Sequence, residues 1–169
     1  MKNLYETDYY RWVEQQKEYL TNRQFDQLDI DNLIGEIDDM SSELDTLESR
    51  LTTLLLHLLK YDYQIRVLNP VLPEPYNCRD WKGTINRTRL AINKLIKRRP
   101  HLQSEVKSLF DEAYVDGKVL AIKAMNDYVQ PHQQLNEHSF PEICPWTFDQ
   151  IMEEDWLPFD AVIPDEKKM

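Results

Sequence analysis

The sequence predicts an all-α protein: an up-and-down four-helix bundle with one long central helix, and a C-terminal segment whose short helix packs on the bundle. Three observations predict it. Apolar residues recur at alternating three- and four-residue steps from Ile30 to Tyr61 without a break, which is the period of one helix face. Only three glycines occur in 169 residues, too few for the turns of a many-stranded β fold. Pro70, Pro73, Pro75 and Pro100 fall between periodic stretches, where they end helices rather than interrupt them. One domain is expected over residues 1–169, with the bundle over about 4–128 and the packing segment over about 140–160.

The first helix is expected from about Asp8 to Arg23, with Thr7 as N-cap and Tyr9, Trp12, Gln16 and Leu20 on one face. The second is expected from about Ile30 to Tyr63, with Asp29 as N-cap. Its seam is Ile30, Leu33, Ile37, Met40, Leu44, Leu47, Leu51, Leu54, Leu58 and Tyr61, the a/d pattern of a bundle helix roughly 50 Å long. The stretch "QIRVLNPVLPEPYNC" then breaks the pattern. A third helix follows from about Asp80 to Arg98, with Trp81, Ile85, Thr88, Ile92 and Leu95 inward. The fourth runs from about His101 to Asp127, with Leu102, Val106, Phe110, Ala113, Gly117, Leu120 and Ala124 inward. In it Ala113, Gly117 and Ala121 form a small-residue stripe that lets a neighbouring helix approach closely. Thr147 and Gln150 have capping-box spacing and start a short helix in the tail.

The chain carries "LYETDYYRW", "LDIDNLIGEIDDM" leading into "LLLHLLKY", "WKGTINRTR", "PHL" before "AYVDGKVLA", and "CPWTFDQI", in that order. On these segments it resembles the bacterial domain of unknown function 29, common in cyanobacteria. Gly35–Glu36 stands where the family tends to have two glutamates, and Pro100–His101–Leu102 where it tends to have Pro-Ser-Leu. The resemblance implies an all-helical bundle and no activity.

The net charge of −10 disfavours nonspecific binding to nucleic acid or anionic membrane, whose affinity comes from neutralised phosphates. No apolar run approaches the ~20 residues of a membrane span. Cys78 and Cys144 make no disulfide framework, and the N-terminus lacks the apolar core of a signal peptide. These points make a cytoplasmic protein the expectation. No cofactor is implied, since no nucleophile elbow, P-loop or dinucleotide fingerprint is present.

His57, inside "LTTLLLHLLKY", is the residue that asks for a role. On the helical wheel it shares the polar strip with Arg50 and Gln64. Its neighbours three and four residues away are Thr53, Leu54, Lys60 and Tyr61, none of them a good metal ligand. No metal site or catalytic residue is therefore assigned, and a hydrogen-bonded structural histidine, against Trp81 or Tyr61, is expected. Arg89 and Glu48 sit at the edges of their seams, where an antiparallel pair could bring them into an ion pair.

The long helix is acidic in its first half (Asp31, Glu36, Asp38, Asp39, Glu43, Asp45, Glu48), whereas the third carries Lys94, Lys97, Arg98 and Arg99 near its end. Leu55, Leu56 and Leu59 lie away from the seam and need a cover, either the tail or a second subunit. They are thus a candidate apolar contact surface. The leading functional expectation is a non-enzymatic bundle that works through a protein partner or as a homo-oligomer. The alternatives are an enzyme or ligand-binding protein with a polar pocket of His57, Arg50 and Arg89, and a nucleic-acid-associated regulator using the basic third helix.

Overall fold

The structure is a computed structural model that describes residues 3–159. The end of the expected packing segment, at residue 160, lies outside them. The fold is all-α, with no strand among the described residues. Its helices are α1 (Leu4–Thr7), α2 (Tyr9–Thr21), α3 (Ile30–Tyr63), α4 (Arg79–Arg98), α5 (Val106–Asn126) and α6 (Phe148–Met152). The long helix runs between the expected residues and continues into one π-helical turn, Gln64–Leu68. The expected start of the fourth helix is instead a 3-10 stretch, Pro100–Glu105, with Pro100 at its first position, where its missing N–H costs no helical bond. Two compact units divide between Glu43 and Leu44.

The first unit is organised by side-chain hydrogen bonds onto the start of α3. Asp8, rather than the expected Thr7, caps α2 by accepting from the Arg11 amide at 3.2 Å. Thr7 donates instead to the Asn3 carbonyl. Trp12 is buried, and its indole N–H donates to Asp29 at 2.9 Å. The Gln16 side-chain carbonyl accepts from the Asp29 amide at 2.8 Å. Tyr5 and Tyr9 donate to the two carboxylate oxygens of Glu36, each at 2.8 Å. These bonds run α2 antiparallel to α3 and grip the side that carries Asp29 and Glu36. Gln16 already reaches the first turn of α3, so Leu20, one turn further on, projects past it and is exposed.

The same geometry corrects the expected seam. Ile30, Ile37 and Met40 are more than half exposed, because α1 and α2 contact a different side of the helix. Leu44 is also exposed, and burial begins at Leu47.

In the second unit Leu47, Leu51, Leu54, Leu55, Leu58 and Leu59 of α3 are 0–1% exposed. Each such side chain contributes about 1.5–3 kcal/mol as an upper estimate. They share one core with Ile85, Ile92 and Leu95 of α4, with Val106, Phe110, Ala113, Ala121 and Met125 of α5, and with Phe140 and Ile151 of the tail. Ala113, Gly117 and Ala121 are all buried. A Cβ on Gly117 would stand 3.3 Å from the Leu56 amide nitrogen, the Thr52 carbonyl oxygen and Leu55 Cβ. Glycine thus sets the α3–α5 approach. Leu120, expected inward, is exposed, while Tyr114 and Met125 are buried, because the face in contact is the one that holds the small residues. Thr147 caps α6 by accepting from the Gln150 amide.

Candidate functional site

Four chain segments of the second unit converge on a cleft of about 480 Å³. Gln64 and Leu68 come from the π turn, Leu72 and Tyr76 from the proline-rich loop, Trp81 from the first turn of α4, and Tyr128, Val129, Gln130 and Gln133 from the segment after α5. Asn69 fixes the loop wall. Its amide donates to the Tyr76 carbonyl at 2.8 Å and accepts from the Tyr76 amide at 3.0 Å. It also accepts from the Gln64 side chain at 2.8 Å. Tyr76 meets Trp81 edge-on, with centroids 5.1 Å apart, and the Lys60 ammonium sits 4.3 Å from the Trp81 ring centre.

The Cys78 thiol and the Tyr128 phenol beside the cleft are neutral at pH 7. Burial pushes the Cys78 thiol up to about 11, against the pull of Lys82 and Lys60. Burial also raises the Tyr128 phenol, with Cys78 and Tyr76 adding. Tyr128 donates to the Met125 sulfur. The sequence carries no signal for this cleft beyond its prolines and aromatics, because its walls come from segments about sixty residues apart.

The polar residues singled out from sequence are not gathered in one pocket. His57 is half-buried, and its Nδ1 lies 2.8 Å from the Thr53 carbonyl oxygen of its own helix. A carbonyl only accepts, so Nδ1 carries the proton. The partner is neither Trp81 nor Tyr61. Burial, and then Lys60, push its pKa down, opposed by the Thr53 bond. Arg50 is exposed.

Arg89 is 5% exposed and donates from Nε to the Ile151 carbonyl at 2.7 Å and from Nη2 to the Trp156 carbonyl at 2.5 Å. It lines a second cleft with Asn86, Asn93, Glu154 and Asp155 that neither His57 nor Arg50 reaches. Glu48 does not pair with Arg89. Burial raises its pKa first, with Glu112, Asp116 and Asp45 adding. Leu55 and Leu59 are sealed in the core and Leu56 is partly buried against it, so these leucines are covered within the chain and do not form an open contact surface.

Another part of the long helix is open. Ile30 (51%), Ile34 (53%), Ile37 (63%) and Met40 (54%) lie along one side of α3 within about three turns. Exposed Asp31 and Asp38 border them on one flank and Glu36 on the other. Among the described residues no helix is long and apolar enough to cross a membrane, and no group of three or more His, Cys, Asp or Glu is arranged to hold a metal ion.

Residues 4–157 match the family described as Domain of unknown function DUF29. The chain belongs to that family. No curated protein and no solved structure matches it. Membership of DUF29 accords with the all-helical fold and names no chemistry, so function has to be argued from the surface of this DUF29 chain itself.

Proposed function

We propose that this protein works without catalysis, as a helical interaction module, and that the exposed stripe of Ile30, Ile34, Ile37 and Met40 is its docking surface. The observation that carries the reading is the exposure of four large aliphatic side chains at helical spacing on the same helix that buries Leu47, Leu51, Leu54, Leu55, Leu58 and Leu59. Contiguous exposed apolar side chains of this kind mark interaction sites.

The partner fitted by this surface is an amphipathic helix with lysine or arginine beside its apolar anchors. Such a helix lays its own apolar face on the stripe and its cations against Asp31, Asp38 and Glu36. A second copy of the chain suits it less well. Two copies would face like charges across the stripe, which opposes self-association. Two free cysteines, Cys78 and Cys144, support a reducing setting such as the cytoplasm. The pocket of His57, Arg50 and Arg89 loses its support because the three side chains stand apart. The basic end of α4 competes with a net charge of −10, which argues against nucleic acid.

The test titrates a fluorescent leucine/lysine amphipathic peptide against the full chain, alongside sedimentation of the protein alone. Micromolar, salt-sensitive binding that falls at least tenfold in Ile34→Asp/Ile37→Asp supports the reading. Binding indifferent to that variant would sink it. A dimer that the same variant dissociates would reassign the stripe to a second copy.

A further inference from the structure

We propose that the cleft beside the π turn at the end of α3 is a binding site for an uncharged, planar ring compound with an amide-type hydrogen-bonding edge. This site is independent of the docking stripe. Its size falls within the ~300–1,000 Å³ range of small-molecule sites, at about 480 Å³.

The shape of the ligand follows from the walls. Trp81, Tyr76 and Tyr128 are rings from three separate segments, and Tyr76 and Tyr128 remain 39% and 49% exposed. Rings left part-open on a cleft favour a flat partner, since an aromatic side chain offers a face on which a flat ring can stack.

The polarity follows from the remaining lining groups. Gln130 and Gln133 each carry a donor and an acceptor on one planar amide. A ligand with a matching pair can bond to them directly, which a plain hydrocarbon cannot. No lining residue is acidic or basic. The Lys60 ammonium lies over the Trp81 ring and is not part of the lining. A charged ligand would therefore lose hydration with no ion-pair partner in the lining itself.

The site is also held in shape before any ligand arrives. The three Asn69 hydrogen bonds pin the loop that carries Tyr76 to the π turn that carries Gln64. Preorganisation of this kind lowers the ordering cost of binding.

The experiment titrates the full chain with nicotinamide, nicotinate and cyclohexanecarboxamide to about 10 mM, a range suited to fragments, and follows ¹H–¹⁵N spectra. The expected result is saturable shifts at the Trp81 indole N–H and the Gln133 side-chain amide with nicotinamide. Nicotinate, charged, and cyclohexanecarboxamide, not flat, should each bind at least tenfold more weakly. Tyr128→Ala should weaken nicotinamide at least fivefold, while Ile34→Asp/Ile37→Asp, on the docking stripe, should leave it unchanged. Absence of saturable shifts with nicotinamide, or equal responses to the three compounds, overturns the proposal. The three-compound comparison on the wild-type chain decides the matter even if Tyr128→Ala fails to fold.

Discussion

Arg89 and Ile151 meet across 62 residues of sequence, the Arg89 Nε donating to the Ile151 carbonyl at 2.7 Å. Ile151 belongs to the last turn of α6, whose carbonyls have no partner within the helix. A cation there completes the hydrogen bonding and complements the helix end. The same guanidinium holds the Trp156 carbonyl. One side chain of α4 therefore fastens the tail that brings Ile151, Trp146 and Phe148 onto the core.

Arg89→Ala should destabilise the second unit by about 2–4 kcal/mol, since charged hydrogen bonds to one buried and one partly buried carbonyl are lost together. Arg89→Lys should recover less than half, because an ammonium lacks the planar fork. Urea unfolding of the two variants measures this. A loss below about 0.5 kcal/mol in Arg89→Ala, the scale of a neutral surface change, would show that the tail is held by packing alone. Truncation after Phe140 should lower stability and cause aggregation through the bared core.

The glycines of α3 and α5 should respond to alanine in opposite directions. At Gly35 a Cβ would meet nothing within 4 Å, and the backbone φ is not positive. Gly35→Ala should therefore stabilise the helix by about 0.5–1 kcal/mol. At Gly117 the Cβ would press on the α3 backbone at Thr52 and Leu56, which cannot turn aside as a side chain can. Gly117→Ala should cost about 1–3 kcal/mol. Thermal unfolding of both variants checks the pair, and a stabilised Gly117→Ala would mean that α3 and α5 separate freely.

The glycine pair also marks what was legible in the sequence. The spacing of Ala113, Gly117 and Ala121 identifies the close-approach face, and the α3 and α4 periods place Leu54, Ile85 and Ile92 inward, because periodicity is local. Periodicity names the apolar side of a helix without naming its cover. Ile30 and Ile37 obey the same pattern as Leu51 and Leu58, yet the first two are open and the last two sealed. The cleft depends on Asn69 reaching Tyr76 and on Tyr128 arriving from the far end of α5. Neither contact has a period or a motif. Arg89 read as a seam-edge residue, but that it reaches the carbonyls of Ile151 at the end of α6 and of Trp156 beyond it has no pattern in the sequence.

His57 should act as a pH-dependent element of stability. Burial lowers its folded pKa below the ordinary 6.5, so the unfolded chain takes up its proton first as pH falls. The stability it contributes is complete above about pH 6.5 and is lost as pH drops through the folded value. His57→Ala should cost about 1–2 kcal/mol at pH 7 and flatten the slope of stability against pH below 6.5. Denaturant midpoints at a series of pH values test this. An unchanged slope in the variant would assign the acid sensitivity elsewhere.

Glu48 should show the opposite sign. Burial raises its folded pKa, with Glu112, Asp116 and Asp45 adding repulsion and Glu112 sharing a hydrogen bond with it. A carboxyl with a raised folded pKa is protonated more readily in the folded chain. Its favourable contribution is present below the unfolded pKa and disappears as pH rises through the folded value, so at pH 7 the charged group works against the fold. Glu48→Gln keeps the shape and a donor toward Glu112 while removing the charge. It should stabilise the second unit at pH 7 by about 0.5 kcal/mol, the scale of a solvent-screened like-charge contact. The gain should shrink toward zero near pH 4, where the wild-type carboxyl is already protonated. Added salt should shrink it as well, because repulsion among partly exposed carboxylates is screened over ~10 Å at 0.1 M. Melting curves of the two proteins at pH 4 and 7, each at low and high salt, separate the cases. A gain that persists at pH 4 would mean that the glutamine stabilises through packing rather than by relieving charge.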